Sequence, residues 1–307
     1  MPVSRRSLLL GAGAASLIGA ANQSGPSLHF PVEPRQRLAV TSYPFRAYIE
    51  SPSNRARDPK VKGFDLKEFP ALMIEKFGIY NINPLGDHLA STEPSYLESF
   101  RAAVAKAGSH MVGLGLSGRR FYAPDRETRK AAVEYGRTWV DNARILGSPS
   151  VRQHVSGAKG EKPDVALAAE SLGELAEYGA HHKVVINLEN DSPVAEDPFF
   201  LVAVIERVNN PYLRGLPDFG NSLRGHDAAY NQKAVSAMLK HAWNMCHVKD
   251  TLRTRDGQVY TVDLKSMFGL AKDYSYRGYF SMEFDTGAGD PFTGTKHLVE
   301  ESLKYLA

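Results

Sequence analysis

Apolar and polar positions change between two spacings along most of the chain. From Arg37 onward, short apolar runs such as "RLAVTSYPF" and "KVVINLE" have the β-branched and aromatic content of buried strands. Each run is followed by a stretch with apolar residues at helical spacing, and two of these stretches close on Gly78 and Gly108, a residue common after a last helical turn. The alternation repeats eight times before the C-terminus. The pattern therefore predicts eight strand–helix units.

Eight alternating units within 307 residues predict an α/β fold of the closed (β/α)₈ type, a TIM barrel. An open doubly wound sheet is the alternative. Such sheets usually carry a Gly-rich phosphate turn after the first strand, and "SYPFR" is not one. No linker interrupts the repeats, so residues 37–307 are expected to form a single domain. Residues 22–36, which contain three prolines, are expected to form an extended N-terminal arm.

Residues 1–21 have a different character. Arg5 and Arg6 precede an apolar run that is too short and too rich in Gly and Ala for a membrane span. The segment resembles a twin-arginine export signal, which implies a periplasmic protein with no stable membrane association once the signal is removed. A general secretory signal and a disordered N-terminus are the alternatives.

Composition narrows the function classes. The chain is 43% hydrophobic and 23% charged, which is ordinary for a globular enzyme or binding protein. The net charge of +3 is spread without a basic run, so nucleic acid is not an expected partner. The single cysteine, Cys246, excludes an internal disulfide framework and a cysteine-rich zinc site.

The predicted strands five to eight each end in a residue type that binds metal ions. These residues are Glu189, Asp218, His247 and Glu283. Their separations of 29, 29 and 36 residues are each about one strand–helix unit, so the four side chains are expected at one barrel mouth. Each residue alone has a structural interpretation: a salt-bridged glutamate, an aspartate that caps a turn, or a hydrogen-bonded core histidine.

Together, the four residues favour a divalent cation. Three carboxylates that converge on an apolar mouth repel each other, and a cation would remove that repulsion. Three oxygen ligands with one neutral imidazole suit Mn²⁺, Co²⁺ or Mg²⁺ better than a thiolate-bound structural Zn²⁺. Mn²⁺ is the first expectation, with Zn²⁺ an alternative.

Other polar residues near strand ends are candidates for substrate contact. Lys249 has the strand parity of His247, so it is expected to enter the mouth and bind an oxyanion or an acidic group. A salt bridge to a neighbouring carboxylate is the alternative for Lys249. Arg152 and His154 share one parity at the end of strand four, and His88 follows strand two.

The segments "LEN", "LPDFGN", "HVKD" and "SMEFD" resemble the xylose isomerase-like barrel superfamily, in particular its sugar phosphate isomerase/epimerase group. The resemblance covers nearly the whole mature chain. In ketose 3-epimerases of that superfamily, a Glu, Asp, His, Glu set binds a divalent metal and the two glutamates exchange a proton with the substrate. The resemblance therefore implies that Glu189 and Glu283 are both metal ligands and the acid/base pair. It also implies that Arg253, six residues after His247, contacts a hydroxyl or acidic group of the substrate; a surface arginine on a loop is the alternative.

Two positions depart from the epimerase pattern. Asn221 stands where the epimerases have a histidine, and it is expected to contact the substrate in its place. Ala195, followed by Glu196, stands where they have a glutamate. The broader group also contains dehydratases and lyases, so the departures weaken the transfer of one particular reaction.

The leading hypothesis is a divalent-metal-dependent isomerase or epimerase of a sugar or keto-sugar. The reaction would proceed by proton abstraction next to a carbonyl, through a metal-stabilised enediolate. A lyase or hydratase acting on 3-keto-glycosides or inososes is the alternative. A non-catalytic carbohydrate-binding barrel and a metal-dependent AP endonuclease are less favoured, because binding alone needs no metal ligands and histidines are sparse. Since barrels of this group often form dimers, a homodimer is one expectation for assembly.

Overall fold

The computed structural model describes residues 25–254 and 256–306, so the predicted export signal lies outside the described residues. Within them, parallel strands alternate with helices. The barrel strands are β1 (Leu38–Thr41), β2 (Asn81–Asn83), β3 (His110–Met111, continued by Leu114–Arg119), β4 (Ser150–Val155), β5 (Val185–Glu189), β6 (Leu213–Leu216), β7 (Met245–Val248) and β8 (Tyr279–Met282).

Neighbouring strands pair in the order of the sequence, and the ring is closed. Strand β1 pairs with both β2 and β8, with Val40 opposite Ile82 and Met282. The first part of β3 pairs with β2, and its second part pairs with β4. Between β6 and β7 the connection consists of two isolated parallel bridges, Gly215–Ala242 and Asp218–His247. The predicted TIM barrel is therefore confirmed.

The helices surround the barrel. They are α1 (Phe69–Phe77), α2 (Pro94–Lys106), α3 (Arg126–Leu146), α4 (Val165–His182), α5 (Pro198–Val208), α6 (Ala228–Leu239), α7 (Leu264–Asp273) and α8 (Pro291–Leu306). Helices α3 to α7 begin after an aspartate whose carboxylate accepts a hydrogen bond from a backbone N–H of the first turn, which stabilises each helix start. Gly78 and Gly147 end α1 and α3 in the left-handed conformation that glycine adopts without a steric penalty. No helix in the described part of the chain has both the length and the apolar character needed to cross a bilayer.

The barrel interior contains both apolar and polar side chains. Five residues form an apolar cluster: Ala39, Val112, Leu216, Met245 and Tyr279. Next to this cluster, Asn244 Nδ2 donates to Ser150 Oγ at 2.9 Å and Asn187 Nδ2 donates to Asn244 Oδ1 at 2.8 Å. The side chain of Glu189 follows Asn187 with the same strand parity. The mouth at the C-terminal ends is therefore where carboxylates gather.

The N-terminal arm covers the opposite end. Residues 25–33 form no helix or strand, and Pro34–Arg37 form one turn of 3₁₀ helix, so the last part of the arm is not extended as the sequence had predicted. Leu28 and Phe30 pack against the apolar cluster inside the barrel. The Phe30 ring contacts Trp243 and Tyr279 edge-on, with centroid distances of 6.1 and 5.8 Å. The arm closes the end of the barrel that is remote from the polar mouth.

Replacement of Phe30 by alanine should therefore destabilise the barrel. We expect a loss of about 1–2 kcal/mol in the free energy of unfolding, because two edge-on aromatic contacts and the apolar area they cover are removed. Val32→Ala is the matched control, since Val32 lies on the same arm and is 82% exposed. Equal urea midpoints for the Phe30→Ala and Val32→Ala variants would contradict this role of the arm.

Candidate metal centre and substrate cavity

Four consecutive barrel strands deliver the predicted metal-ligand set to one place. Glu189 is the last residue of β5, Asp218 follows β6 by two residues, His247 lies within β7, and Glu283 directly follows β8. All four are buried, and each offers a ligand atom within 4.8 Å of those of the others. The four residues therefore form one cluster, which we call the carboxylate–histidine cluster.

His247 is at the centre of this cluster. Its Nδ1 lies 2.6 Å from Glu189 Oε1 and 2.5 Å from Glu283 Oε2. Burial would lower the pKa of His247, but the two carboxylates raise it to about 10. The imidazole is thus protonated when no metal is bound. A metal ion bound at Nδ1 has to displace that proton, so metal binding would release a proton.

Two carboxylate oxygens of the cluster have an ion-pair contact but no well-formed hydrogen bond. Among the described residues these are the buried Asp218 Oδ2, 3.1 Å from Lys249 Nζ, and the buried Glu283 Oε2, 2.5 Å from His247 Nδ1. Asp218 Oδ1, in contrast, accepts the backbone N–H groups of Gly220 and Asn221 at 2.8 and 2.7 Å. This arrangement fixes the carboxylate and leaves its second oxygen facing the cluster. Buried anionic oxygens are costly without good hydrogen bonds, and a hard divalent cation is a further partner of the right chemistry for both.

Asn83 supports the same interpretation from behind the imidazole. Asn83 Nδ2 lies 2.9 Å from His247 Nε2, while Asn83 Oδ1 is buried and has no hydrogen-bond partner among residues 25–254 and 256–306. If Nδ1 bound a metal, Nε2 would carry the hydrogen, and a turned Asn83 amide would accept it through Oδ1. The amide orientation is interchangeable in shape, and such outer hydrogen bonds fix the ring of a metal-binding histidine. The residues present therefore fit a divalent metal.

Two cations flank the cluster. Arg152 Nη1 donates to Glu189 Oε2 at 2.6 Å. Lys249 Nζ lies 3.1 Å from Asp218 Oδ2 and 3.7 Å from Glu283 Oε1. Burial raises the pKa of Asp218 to about 6 despite Lys249. Burial would also raise the pKa of Glu283, but the charges of His247 and Lys249 lower it to about 2.

The charge balance depends on what occupies the cluster. Three carboxylates, two flanking cations and one protonated imidazole sum to zero. With a divalent cation and a neutral imidazole, the same groups would sum to +1. A metal-loaded site would thus carry one excess positive charge, which favours negative charge that develops on a bound molecule.

A second histidine–carboxylate pair lies beside Arg152. His154 Nε2 is 2.6 Å from Arg152 Nη1, and His154 Nδ1 is 2.6 Å from Glu196 Oε1. Glu196 is buried and also accepts the backbone N–H of Val155 at 2.8 Å. Burial and Arg152 lower the pKa of His154, but the charge of Glu196 contributes to a net rise. Glu196 therefore orients His154.

A cavity of about 930 Å³ opens above the carboxylate–histidine cluster. Six of the predicted site residues line it: Arg152, His154, Glu189, Lys249, Arg253 and Glu283. Asp218 and His247 lie beneath its floor, fully buried.

Two predicted substrate contacts are not at the cavity surface. Asn221 is buried, and its Oδ1 accepts hydrogen bonds from Lys249 Nζ at 3.0 Å and Arg224 Nη2 at 3.1 Å. Asn221 thus positions two cations behind the lining. His88 is also buried, with Nδ1 2.7 Å from Ser42 Oγ, and burial lowers its pKa to about 4. The prediction of substrate contact by His88 does not agree with this placement, because the short turn after β2 directs its ring into the protein.

Sequence reasoning missed several charged residues of the cavity. These are Arg46, Asp87, Asp191 and Arg224. All lie in loops after barrel strands, where periodicity gives no orientation. The only signal available was their position shortly after a strand end.

The comparisons with known proteins agree with the fold. Residues 72–307 match the family model described as a xylose isomerase-like TIM barrel. No curated protein matches the chain.

Several solved structures are similar in fold. A xylose isomerase domain protein from Planctomyces limnophilus has 17% identity and a TM-score of 0.64, over 91% of this chain and 99% of that one. A xylose isomerase-like TIM barrel protein from Mycobacterium smegmatis, in complex with magnesium, has 18% identity and a TM-score of 0.62, over 89% and 98%. D-psicose 3-epimerase from Clostridium cellulolyticum H10, with D-tagatose, has 14% identity and a TM-score of 0.62, over 88% and 96%. At these identities the likeness shows the fold alone. The family model matches more than half of the 307 residues of this chain. The chain therefore belongs to the xylose isomerase-like TIM barrel family.

Proposed function

We propose that the protein is a divalent-metal-dependent isomerase or epimerase of a sugar or keto-sugar. The observation that carries this proposal is the carboxylate–histidine cluster at the floor of a cavity of about 930 Å³, with two buried oxygens that lack a well-formed hydrogen bond. The family match and the similar fold of a D-psicose 3-epimerase support the substrate class.

Glu189, Asp218, His247 and Glu283 would hold the metal, with Mn²⁺ as the first expectation. A bound divalent cation would polarise a substrate carbonyl and acidify the neighbouring C–H bond. The protein's own groups then have two tasks. They must remove the proton, and they must stabilise the negative charge that this leaves on the substrate.

The contacts of Glu189 and Glu283 differ, and this difference assigns them different roles. Both oxygens of Glu189 are engaged, Oε1 by His247 and Oε2 by Arg152. Glu283 Oε1 has a looser environment, because its cationic neighbour Lys249 is 3.7 Å away. We therefore assign proton removal to Glu283 and expect Glu189 to act mainly as a ligand. Arg152 and Lys249 would stabilise the developing negative charge.

His154 favours a second candidate function, a lyase acting on a 3-keto-glycoside. Its ring lines the cavity and is oriented by Glu196, as expected of a proton donor. In such an elimination, Glu283 removes the proton next to the carbonyl and a carbon–carbon double bond forms. The C–O bond to the leaving group breaks, and the departing oxygen takes a proton from His154. The cavity volume of about 930 Å³ leaves room for a leaving group. It lies near the upper end of the range that is usual for ligand pockets, about 300–1,000 Å³.

Metal binding is the first expected property. We expect the purified protein to bind about one Mn²⁺ per chain, because the four ligand atoms form one site. The His247→Ala variant should lose this binding, as measured by elemental analysis after Mn²⁺ loading and desalting. His181→Ala is the control, since His181 is exposed at the end of α4. Equal metal content in all three proteins would place the metal elsewhere.

Proton removal is tested with Glu283→Gln. Exchange of substrate C–H for deuterium in D₂O, followed by proton NMR with D-tagatose and other ketoses, should slow by about 10²–10⁴-fold when the base is lost. Circular dichroism and metal content check that the fold and the metal site persist in the variant. Undiminished exchange in a folded, metal-loaded Glu283→Gln protein would rule out Glu283 as the base.

The lyase alternative predicts a separate effect of His154. With a 3-keto-glycoside as substrate, His154→Asn should slow release of the leaving group while deuterium exchange continues, since only the second step uses the imidazole. Product analysis by mass spectrometry distinguishes the reactions, because elimination yields a cleaved, unsaturated sugar. A product of unchanged mass would favour isomerisation.

A further inference from the structure

Two arginines at the solvent side of the cavity are held by one short turn. The turn is the 3₁₀ segment Thr286–Ala288 that follows β8. Arg46 Nη2 donates to Thr286 Oγ1 at 2.7 Å, and Arg253 Nη1 donates to Gly287 O at 3.2 Å. Both arginines line the cavity. Two guanidinium groups from different segments of the chain are thus anchored to adjacent residues.

Further contacts fix the direction of each side chain. Arg46 Nη1 donates to the carbonyl oxygen of Tyr43 at 2.9 Å, and its guanidinium carbon lies 4.0 Å from the centre of the Tyr43 ring. Arg253 lies on a strand, Thr251–Arg253, which pairs with Val259–Thr261 in a small antiparallel ribbon. The backbone N–H of Arg253 donates to Asp285 Oδ2 at 2.6 Å. The positions of both arginines are therefore set without any ligand.

Neither arginine has a carboxylate partner within 4.0 Å in the described part of the chain. The other cations that line the cavity are paired: Arg152 with Glu189, Arg224 with Asp191, and Lys249 with Asp218. Asp285, the carboxylate of the turn, accepts the backbone N–H groups of Arg253 and Gly287. Asp87, which also lines the cavity, accepts a hydrogen bond from Ser117 Oγ at 2.6 Å. The rim thus presents two positive charges that lack a neutralising ion pair.

We propose that Arg46 and Arg253 form an anion subsite that binds a carboxylate or phosphate on the substrate. This inference rests on the proposed function, and it narrows the substrate class to acidic sugars. The anionic group would lie at the rim, while the reacting carbonyl lies at the floor above the carboxylate–histidine cluster. Guanidinium groups suit this task, because their planar donors match the oxygens of carboxylate and phosphate.

The test compares three probes that share a hexose ring: D-glucuronate, D-glucose 6-phosphate and neutral D-glucose. Binding to the Mn²⁺-loaded protein is measured by isothermal titration calorimetry at low ionic strength. At least one acidic probe should bind about tenfold tighter than D-glucose, as expected for a charge-assisted hydrogen bond. The preference should shrink as salt is added, since the arginines lie at the solvent side. The acidic probe that binds more tightly identifies carboxylate or phosphate as the ligand.

Substitutions test whether the two arginines cause the tighter binding of an acidic probe. Arg46→Gln and Arg253→Gln should each remove most of this preference over D-glucose. Arg46→Lys should keep part of it because the positive charge remains. Arg144→Gln is the control, since Arg144 is an exposed arginine of α3 that lies outside the cavity. Circular dichroism excludes loss of fold as the cause.

Three results would overturn the proposal. The first is equal binding of all three probes, and the second is an acidic preference that survives both glutamine variants. The third is a preference that is lost in His247→Ala but kept in the arginine variants, because the anion would then bind the metal. These outcomes differ from failure of the proposed function. That failure would appear as absence of Mn²⁺ binding in the wild-type protein, and the probes can still be compared on that protein.

Discussion

The burial of three carboxylates around one imidazole is the constraint on which the rest of the site depends. Like charges this close cannot all stay ionised in a dry barrel interior without positive charge nearby. The protein supplies Arg152 on one side and Lys249 on the other, and both are buried. These two cations leave the cluster one charge short of balance when the imidazole is neutral. A protonated His247 restores neutrality, whereas a divalent cation gives a net charge of +1.

The barrel fold explains how such a cluster can be maintained. Each ligand comes from a different strand, so the parallel ring fixes their positions through backbone pairing. The weakest connection in that ring is between β6 and β7, which is made by isolated bridges. One of those bridges joins Asp218 to His247, so two cluster residues themselves close the ring. Structure and site are therefore coupled at this position: the segment that would bind metal also completes the barrel.

The strength of the sequence signal differed between the barrel and its loops. Regular periodicity predicted the eight units. Separations of about one strand–helix unit placed Glu189, Asp218, His247 and Glu283 at one mouth, because strand ends in a barrel meet there. Strand parity placed Lys249 and His154 toward the cavity. Position after a strand end was not enough for His88, because the short turn after β2 directs its ring into the protein. The sequence did not predict that Arg46 and Arg224 line the cavity. Their orientation depends on contacts with other segments of the chain, and residue spacing in a single sequence does not reveal those contacts. Glu196 also required the structure, since only the fold shows that it holds His154.

The central claim is that the carboxylate–histidine cluster binds a divalent metal. The most direct measurement is a crystal structure of the Mn²⁺-soaked protein, with an anomalous difference map recorded at the manganese edge. The account predicts one strong peak within coordination distance of Glu189, Asp218, His247 and Glu283, with the Asn83 amide turned to accept from His247 Nε2. A map without a peak at the cluster, with His247 Nδ1 still hydrogen-bonded to Glu189, would contradict it.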